Sequence, residues 1–376
     1  MKTNLLQKNI PKDWSVKKIK DLLDFEQPTK YIVESSNYTP DGKTPVLTAN
    51  KSFVLGYTNE TDGVYADTPA VIFDDFTTDS KYVDFPFKVK SSAIKILTNR
   101  DENTDLKFIY EIMKSFTFPI ANHKRHYISQ YQELDIVVPS INEQKKIAEI
   151  LSSIDKSIQK VDEVIVSSKK LKDGLVRDLF DLKSKKDIKF MTLGEIGKVS
   201  MCKRIFKDQT SNTGDIPFYK IGTFGKKADA FISKELFDTY REKFSFPKVG
   251  DVLLSASGTI GRKVKYDGEP AYFQDSNIIW LEHDESKILN DFLFYLYETI
   301  RWETSGSTIK RLYNNAFIKE IVPVPPIDKQ QKMVNVLSAV DQKILINKNL
   351  KEKLTILKKG LMSDLLSGKV RTINNK

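Results

Sequence analysis

Glu143–Asp155 reads EQKKIAEILSSID and Lys329–Asp341 reads KQQKMVNVLSAVD. The two stretches match at an offset of 186 residues, Gln144 with Gln330. The same offset carries Pro139 to Pro325, Leu151 to Leu337, Gly174 to Gly360 and Asp178-Leu179 to Asp364-Leu365. Backward, it carries Asp105 to Asp291, Phe108 to Phe294 and Lys124-Arg125-x-Tyr127 to Lys310-Arg311-x-Tyr313. Further upstream, Gly42-x-x-Pro45 meets Gly214-x-x-Pro217 at 172, which implies insertions in the second copy. A solenoid needs three or more short units, so two long copies with divergent front parts fit a pseudo-twofold chain better. The order is domain, helix, domain, helix: residues 1–140, 141–187, 188–325 and 326–376.

The quoted stretches open long helices. Apolar residues recur at Ile147, Leu151, Ile154, Ile158, Val161 and Ile165, and again at Met333, Leu337, Val340, Ile344, Leu354, Leu361 and Leu365. Steps of four and three give the 3.5-residue period of a coiled coil. Ser140-Ile141-Asn142-Glu143 predicts a capping box, and Asp328 a cap after Pro325-Pro326. At ~1.5 Å per residue, ~40 residues make a rod of about 60 Å. Its single apolar stripe needs a cover, and the other copy, matched in length and pattern, is the economical partner, an antiparallel pairing making one chain mimic a twofold dimer; ordinary amphipathic core helices are the alternative. Asn347 lies in the stripe as a register-fixing polar residue. Gly174 and Gly360 mark a bend or a close helix contact.

The parts ahead of the helices are mixed. β-like runs occur at Pro45-Val46-Leu47, Ala70–Phe73, Lys88–Lys90 and Ala93–Ile96, and in the second copy at Pro217–Tyr219, Asp251–Leu254, Lys263–Tyr266 and Ile278–Trp280. Each domain closes with a helical patch, Leu106–Met113 or Phe292–Ile300, and a last strand, Leu134–Val138 or Ile321–Val324. The fold class is α+β, two α+β domains separated by two long helices.

Composition narrows function. Hydrophobic residues make up 40% of 376, which excludes a disordered chain. One cysteine, Cys202, excludes a disulfide framework or multi-cysteine metal site and points to a reducing, cytoplasmic setting. No apolar run reaches a membrane span, and the N-terminus lacks the apolar stretch of a secretory signal. The net charge of +10 falls mostly on residues 326–376 at +7, with the first and second domains at −1 and +2. Nucleic-acid contact in the domains must therefore come from local clusters. Lys124-Arg125 and Lys310-Arg311 are such clusters, each followed by a tyrosine. Ser255–Lys263 combines glycines, hydroxyls and two cations, chemistry suited to phosphates and base edges. Thr48–Ser52 and Lys220–Thr223 follow the paired Gly-x-x-Pro motifs with similar character. Asp74-Asp75 reads as a loop or as acceptors for a cytosine amino group. The competing reading of the basic pairs is solvated surface charge or a shared turn.

No P-loop, no G-x-G-x-x-G after a strand and no H-E-x-x-H or G-x-S-x-G is present. Asp84-Phe85-Pro86-Phe87 only weakly resembles the tetrapeptide of amino-methyltransferases, with Phe where that motif has Pro. The chain reads as a recogniser rather than an enzyme.

The layout resembles the specificity (S) subunit of type I restriction–modification systems. The residues that carry the resemblance are Val137-Val138-Pro139-x-x-x-Glu143-Gln144-x-x-Ile147, Val324-Pro325-Pro326-x-x-x-Gln330-x-x-Met333, the loop Gly258-Thr259-Ile260-Gly261 and the tail Leu365–Arg371. The first domain departs from it, with Asp74–Ser80 in place of the S-x-S-G-T-I-G loop. The resemblance implies two target recognition domains, each reading half of a bipartite DNA site, with the helices as ruler and as dock for two methyltransferase subunits. Two restriction motor-nuclease subunits are further partners. This chain then binds no cofactor; S-adenosylmethionine and ATP belong to the partners. DNA contact is expected from Asn50, Lys51, Thr77, Thr78, Lys124, Arg125 and Tyr127 in the first domain, and from Lys220, Thr223, Ser257, Thr259, Arg262, Lys263, Lys310, Arg311 and Tyr313 in the second. The alternative is a non-catalytic protein–protein scaffold with duplicated binding domains.

Overall fold

A computed structural model describes residues 10–49, 52–116, 118, 125–182, 188–303 and 310–373. Two compact units emerge: Met1–Asp162 with Asn349–Lys376, and Glu163–Lys348. Each unit holds one α+β domain and a half of each long helix, so the compact units cut across the linear order of domains and helices.

In the first unit the elements are β1 (Ser15–Lys18), α1 (Ile19–Leu22), β2 (Leu23–Glu26), β3 (Thr44–Leu47), β4 (Val54–Thr58), β5 (Ala70–Asp74), β6 (Ser80–Val83), β7 (Lys88–Val89), β8 (Ile94–Asn99), α2 (Leu106–Ser115) and β9 (Asp135–Val138), leading into α3 (Ile141–Phe180). The second copy runs β10 (Lys189–Thr192), α4 (Leu193–Ile196), β11 (Gly197–Ser200), β12 (Ile216–Tyr219), β13 (Phe231–Ile232), α5 (Lys234–Lys243), β14 (Val252–Ser255), β15 (Lys263–Lys265), β16 (Tyr272–Phe273), β17 (Ile278–His283), α6 (Asn290–Thr299), α7 (Asn314–Lys319) and β18 (Ile321–Val324), leading into α8 (Ile327–Leu366).

The sheet orders repeat: β2-β8-β5-β6 matches β11-β17-β14-β15, β4-β3-β7 matches β13-β12-β16, and ribbon β1-β9 matches β10-β18. The four-stranded sheet is covered on both faces at its centre, so the inner strands β5 and β14 are nearly all apolar, while the outer strands are polar and partly exposed. Val71, Phe73 and Leu97 face the core shared with α2, whereas Ala70, Ile72, Ile94 and Ile96 face the three-stranded sheet. Val252, Leu254, Ile279 and Leu281 alternate with Leu253, Ile278 and Trp280 in the same way.

Strand register fixes the equivalences. Ser15 pairs with Val138 as Lys189 pairs with Val324, offsets of 174 and 186. The buried faces of α2 and α6 match at 184: Phe108 with Phe292, Ile109 with Leu293, Ile112 with Leu296. This corrects the pairing of Asp105 with Asp291 and Phe108 with Phe294, because the two-residue difference lies after α2, not before it. The insertion between β13 and β14 holds α5, capped by Ser233 Oγ accepting from Leu236 N. No counterpart of α5 stands between β4 and β5.

Both long helices have 40 residues. Each begins inside its own domain. Gln144 is buried; its Oε1 accepts from Asp105 N and its Nε2 donates to Asn103 O and Pro139 O. Gln330 repeats this with Leu289 N, Lys287 O and Pro325 O. Ile147 and Leu151 join the first domain's core, and Met333 and Leu337 the second's. In the first unit Lys351 meets Asp162 at 2.7 Å and Lys358 meets Asp155 at 2.5 Å. As numbering rises on α8 it falls on α3, so the paired halves are antiparallel. In the second unit Lys172 meets Asp341 at 2.9 Å, the same pair 186 residues on with the helices exchanged.

Four local expectations change. The Glu143 carboxylate does not close a capping box; it accepts from Trp14 Nε1, Arg371 and Thr372 N. Asp328 lies inside the first turn of α8 beside Lys332, and Pro326 O starts the helix. Asn347 Nδ2 donates to Lys343 O of its own helix, so it locks no register. A Cβ on Gly174 or Gly360 would meet nothing within 4 Å, so neither marks a close contact.

Candidate nucleic-acid interface

In the second domain, β14 and β15 are joined by a tight turn built on Ser255. Its Oγ donates to Thr259 O and accepts from Arg262 N, while its backbone accepts from Gly261 N and donates to Arg262 O. Gly258 and Gly261 have φ of 64° and 83°, the left-handed region that glycine alone enters freely. A Cβ on Gly261 would also strike Trp302 at 2.9 Å. The glycines noted in the sequence thus shape a turn that leaves Thr259 exposed.

Two further expected groups meet this turn. Arg262 donates to Phe224 O at 3.0 Å, binding it to the Lys220–Phe224 loop, where Thr223 Oγ1 accepts from Lys220 N. Leu312 N donates to Ala256 O, and Arg311 donates to Ser276 O at 2.9 Å. Lys220, Thr223, Thr259, Arg262 and Arg311 therefore come together around one turn, with Lys310 and Tyr313 exposed beside it. Ser257 is largely buried and its Oγ donates to Asn277 Oδ1 at 2.8 Å.

Lys263 does not belong to this surface. As the first residue of β15 its side chain alternates away from Arg262, donates to Phe294 O and pairs with Glu298 at 2.7 Å. Burial pushes its ammonium down to about 8, with Glu298 opposing only in part.

The first domain places its groups on the same frame. The β5–β6 turn carries Thr77 and Thr78, with Thr78 at φ 57°, and stands where the glycine-rich turn stands in the second domain. Arg125 lies over the Phe76 ring at 6.0 Å, and His126 N donates to Asp75 O as Leu312 N does to Ala256 O. Arg125 and Arg311 thus hold equivalent places. The tyrosines that follow them do not. Tyr313 is exposed, but Tyr127 is fully buried against Phe73 and Phe25, at 5.2 and 5.4 Å between ring centroids. Contact from Tyr127 to an outside ligand would require unpacking the core, so it is removed from the candidate set. Asn50, Lys51 and Lys124 lie outside the described residues.

Asp74 and Asp75 are buried and already accept hydrogen bonds inside the domain. Asp74 Oδ1 accepts from Phe76 N and Thr77 N. Asp75 is buried, accepts from Tyr127 N at 2.8 Å and pairs with buried Lys95 at 3.3 Å.

Sequence reasoning missed the loops joining β16 to β17 and β7 to β8. Both are polar runs between apolar strands, Gln274-Asp275-Ser276-Asn277 and Lys90-Ser91-Ser92-Ala93. That contrast was the available signal, but it carries no glycine, proline or basic pair to draw notice. Arg204, exposed and paired with Asp275 at 2.9 Å, was missed too. Among the described residues no cluster of His, Cys, Asp or Glu could hold a metal, and no helix is long and apolar enough to cross a membrane.

The chain matches known proteins along most of its length. The family model for the type I restriction modification DNA specificity domain matches residues 11–165 and 185–355. A type I restriction enzyme specificity subunit of Escherichia coli is 30% identical over 349 residues, 85% of each chain. A putative type I specificity subunit of Haemophilus influenzae is 39% identical over 254 residues, 64% of this chain and 66% of that one. In fold, the crystal structure of the type I restriction–modification S subunit from M. genitalium superposes with a TM-score of 0.69 at 22% identity, covering 97% of this chain and 99% of that one.

Proposed function

The chain belongs to the type I restriction–modification DNA specificity family, and from that premise we propose that each of its two domains reads one half of a bipartite DNA site. The helices set the gap between the half-sites and dock two methyltransferase subunits, to which two motor-nuclease subunits can add. Catalysis belongs to those partners, as do S-adenosylmethionine and ATP; this chain supplies address, not chemistry. It works in the cytoplasm, where the DNA is.

The single observation behind this reading is that one loop framework occurs twice with unlike side chains on it. A Thr77-Thr78 turn and Arg125 stand in one domain, a Ser257–Arg262 turn and Arg311 in the other. A frame repeated with changed polar groups suits two readers of two different sequences. Cations on it position phosphates, and hydroxyls and amides reach base edges.

The test is a map of methylated bases in genomic DNA from cells with and without this chain, its cognate methyltransferase present in both. The expected result is one asymmetric split motif, methylated only when the chain is present. Binding of the complex to that motif should weaken steeply as salt rises, because phosphate contacts release counterions. Salt-insensitive binding, or methylation independent of the chain, favours the protein–protein scaffold.

A further inference from the structure

We propose that the loop Gln274-Asp275-Ser276-Asn277 between β16 and β17 is the specificity-determining element of the second domain, presenting amide N–H donors to the acceptor edge of a guanine. The proposal rests on the DNA-reading assignment above and names where in that domain the base identity is decided.

Each of the four residues holds a different part of the candidate surface. Gln274 Oε1 accepts from Ile221 N at 2.9 Å, fixing the Lys220–Phe224 loop. Asp275 pairs with Arg204. Ser276 O accepts from Arg311 at 2.9 Å. Asn277 O accepts from Ala256 N, and its side-chain oxygen accepts from Ser257 Oγ at 2.8 Å. Three loops therefore converge on one four-residue hub. Arg311, by this geometry, is a positioning residue for the hub. Ser276 sits at φ 50°, a left-handed conformation that non-glycine residues rarely adopt. Such backbone strain persists where surroundings enforce it, and it collects at ligand-contact sites.

The free chemistry of the hub's two amides leans to donation, while the Asp275 carboxylate is turned to Arg204 and accepts from Ser276 Oγ. The side-chain oxygens of Gln274 and Asn277 are already accepting inside the protein. Among the described residues their amide nitrogens have no hydrogen-bond partner, and both side chains are half-exposed. An amide NH2 carries two donors. In the major groove guanine offers two acceptors, N7 and O6, whereas adenine offers one acceptor and one donor. Amides whose oxygens are engaged inside the protein and whose NH2 groups are free to donate fit guanine best.

The first domain supplies a built-in comparison. Lys90 N donates to Leu47 O as Gln274 N does to Tyr219 O, and Ala93 O accepts from Asp75 N as Asn277 O does from Ala256 N. The backbone frame and length are the same. The side chains are Lys, Ser, Ser, Ala in one and Gln, Asp, Ser, Asn in the other. A constant frame with variable polar groups is how a reader changes its target without changing its fold.

The test uses the full chain with its cognate methyltransferase and reads the methylated motif for wild type, Gln274→Ala and Gln274→Glu. Wild type is expected to require a guanine in the half-site read by the second domain. Gln274→Ala should relax that one position at least tenfold, leaving the other half-site intact. Gln274→Glu keeps the oxygen that holds Ile221 N but replaces donors with an acceptor, and should turn preference from guanine toward cytosine, whose amino group donates. If both variants keep the wild-type motif, or loosen both half-sites alike, the loop is not the reader. If wild type itself shows no sequence-restricted methylation, the DNA-reading assignment falls and the loop's role with it.

Discussion

Asp75 and Lys263 show why single residues in these domains resist reading from sequence alone. Both sit in polar-looking stretches beside candidate contacts, and both turn inward. Asp75 ties the Arg125 segment to its turn through Tyr127 N and is balanced by Lys95, both charges lacking solvent access. A buried carboxylate with a paired cation is a strut, since leaving either partner alone is costly. Lys263 sits beneath the glycine-rich turn with Glu298 for a partner. Its folded value near 8 lies below the ordinary lysine range, so between about pH 8 and that range unfolding takes up a proton. Stability from this group is present above the ordinary lysine value and is lost as pH falls through about 8. Melting of the second domain should therefore gain stability between pH 7.5 and 9.5, and Lys263→Met should flatten that rise. An unchanged slope in the variant would show that Lys263 is not the group responsible.

Among the elements, the long helices do two jobs along their length. Their first turns are domain core, through Ile147 and Leu151 or Met333 and Leu337. Further along they pair with each other inside each unit. Lys358 links Asp155 to Glu111 of α2, and Lys172 links Asp341 to Glu298 of α6. Each domain is thus clasped by the far end of the helix that follows the other domain in the chain. The tail beyond α8 extends the clasp. Arg371 meets Glu143 at 2.8 Å and Asp13 at 2.5 Å, and Gly368 lies against Pro11 and Trp14. Glu143 has no solvent access, while Arg371 keeps 22% of its exposure. Arg371→Ala should cost about 2–4 kcal/mol, somewhat under the ~3–5 kcal/mol of breaking a wholly buried pair. Two-transition melting of the full chain is the check: only the first domain's transition should drop. A shift in both transitions, or in neither, would contradict the local role of this tail.

At the scale of the whole molecule, duplication lets one chain carry two unlike loop surfaces on one frame. A symmetric dimer presents the same surface twice, whereas two divergent copies in one polypeptide present different ones. The structure keeps the copies alike where they build sheets and helix junctions, and lets them differ on the loops. Replacing residues 188–325 with a different domain of the same fold should then change one half of the methylated motif and leave the other half and the gap unaltered. Changes in both halves would mean that the two domains do not read independently.

The repeat, the α+β class and the two long helices were legible because each depends on short-range pattern. The matched thirteen-residue stretches, the 3.5-residue stripe and the apolar runs of β5 and β14 can each be read from short pieces of chain. Gln144 and Gln330 aligned the two copies, though nothing local showed that they lock backbone at Asp105 and Leu289. The candidate surface was half legible: the glycines and hydroxyls of Ser255–Arg262 flagged that turn, and the repeated basic pair flagged Arg125 and Arg311. Which side chains face outward was decided only by tertiary structure. Tyr127 and Tyr313 share a motif yet part ways, one into the core and one to solvent. Lys263 turns in while Arg262 meets a neighbouring loop. The hub at Gln274–Asn277 gains its meaning from three loops that are distant in sequence. Burial is a property of what packs against a residue, and those neighbours come from parts of the chain that no local pattern connects.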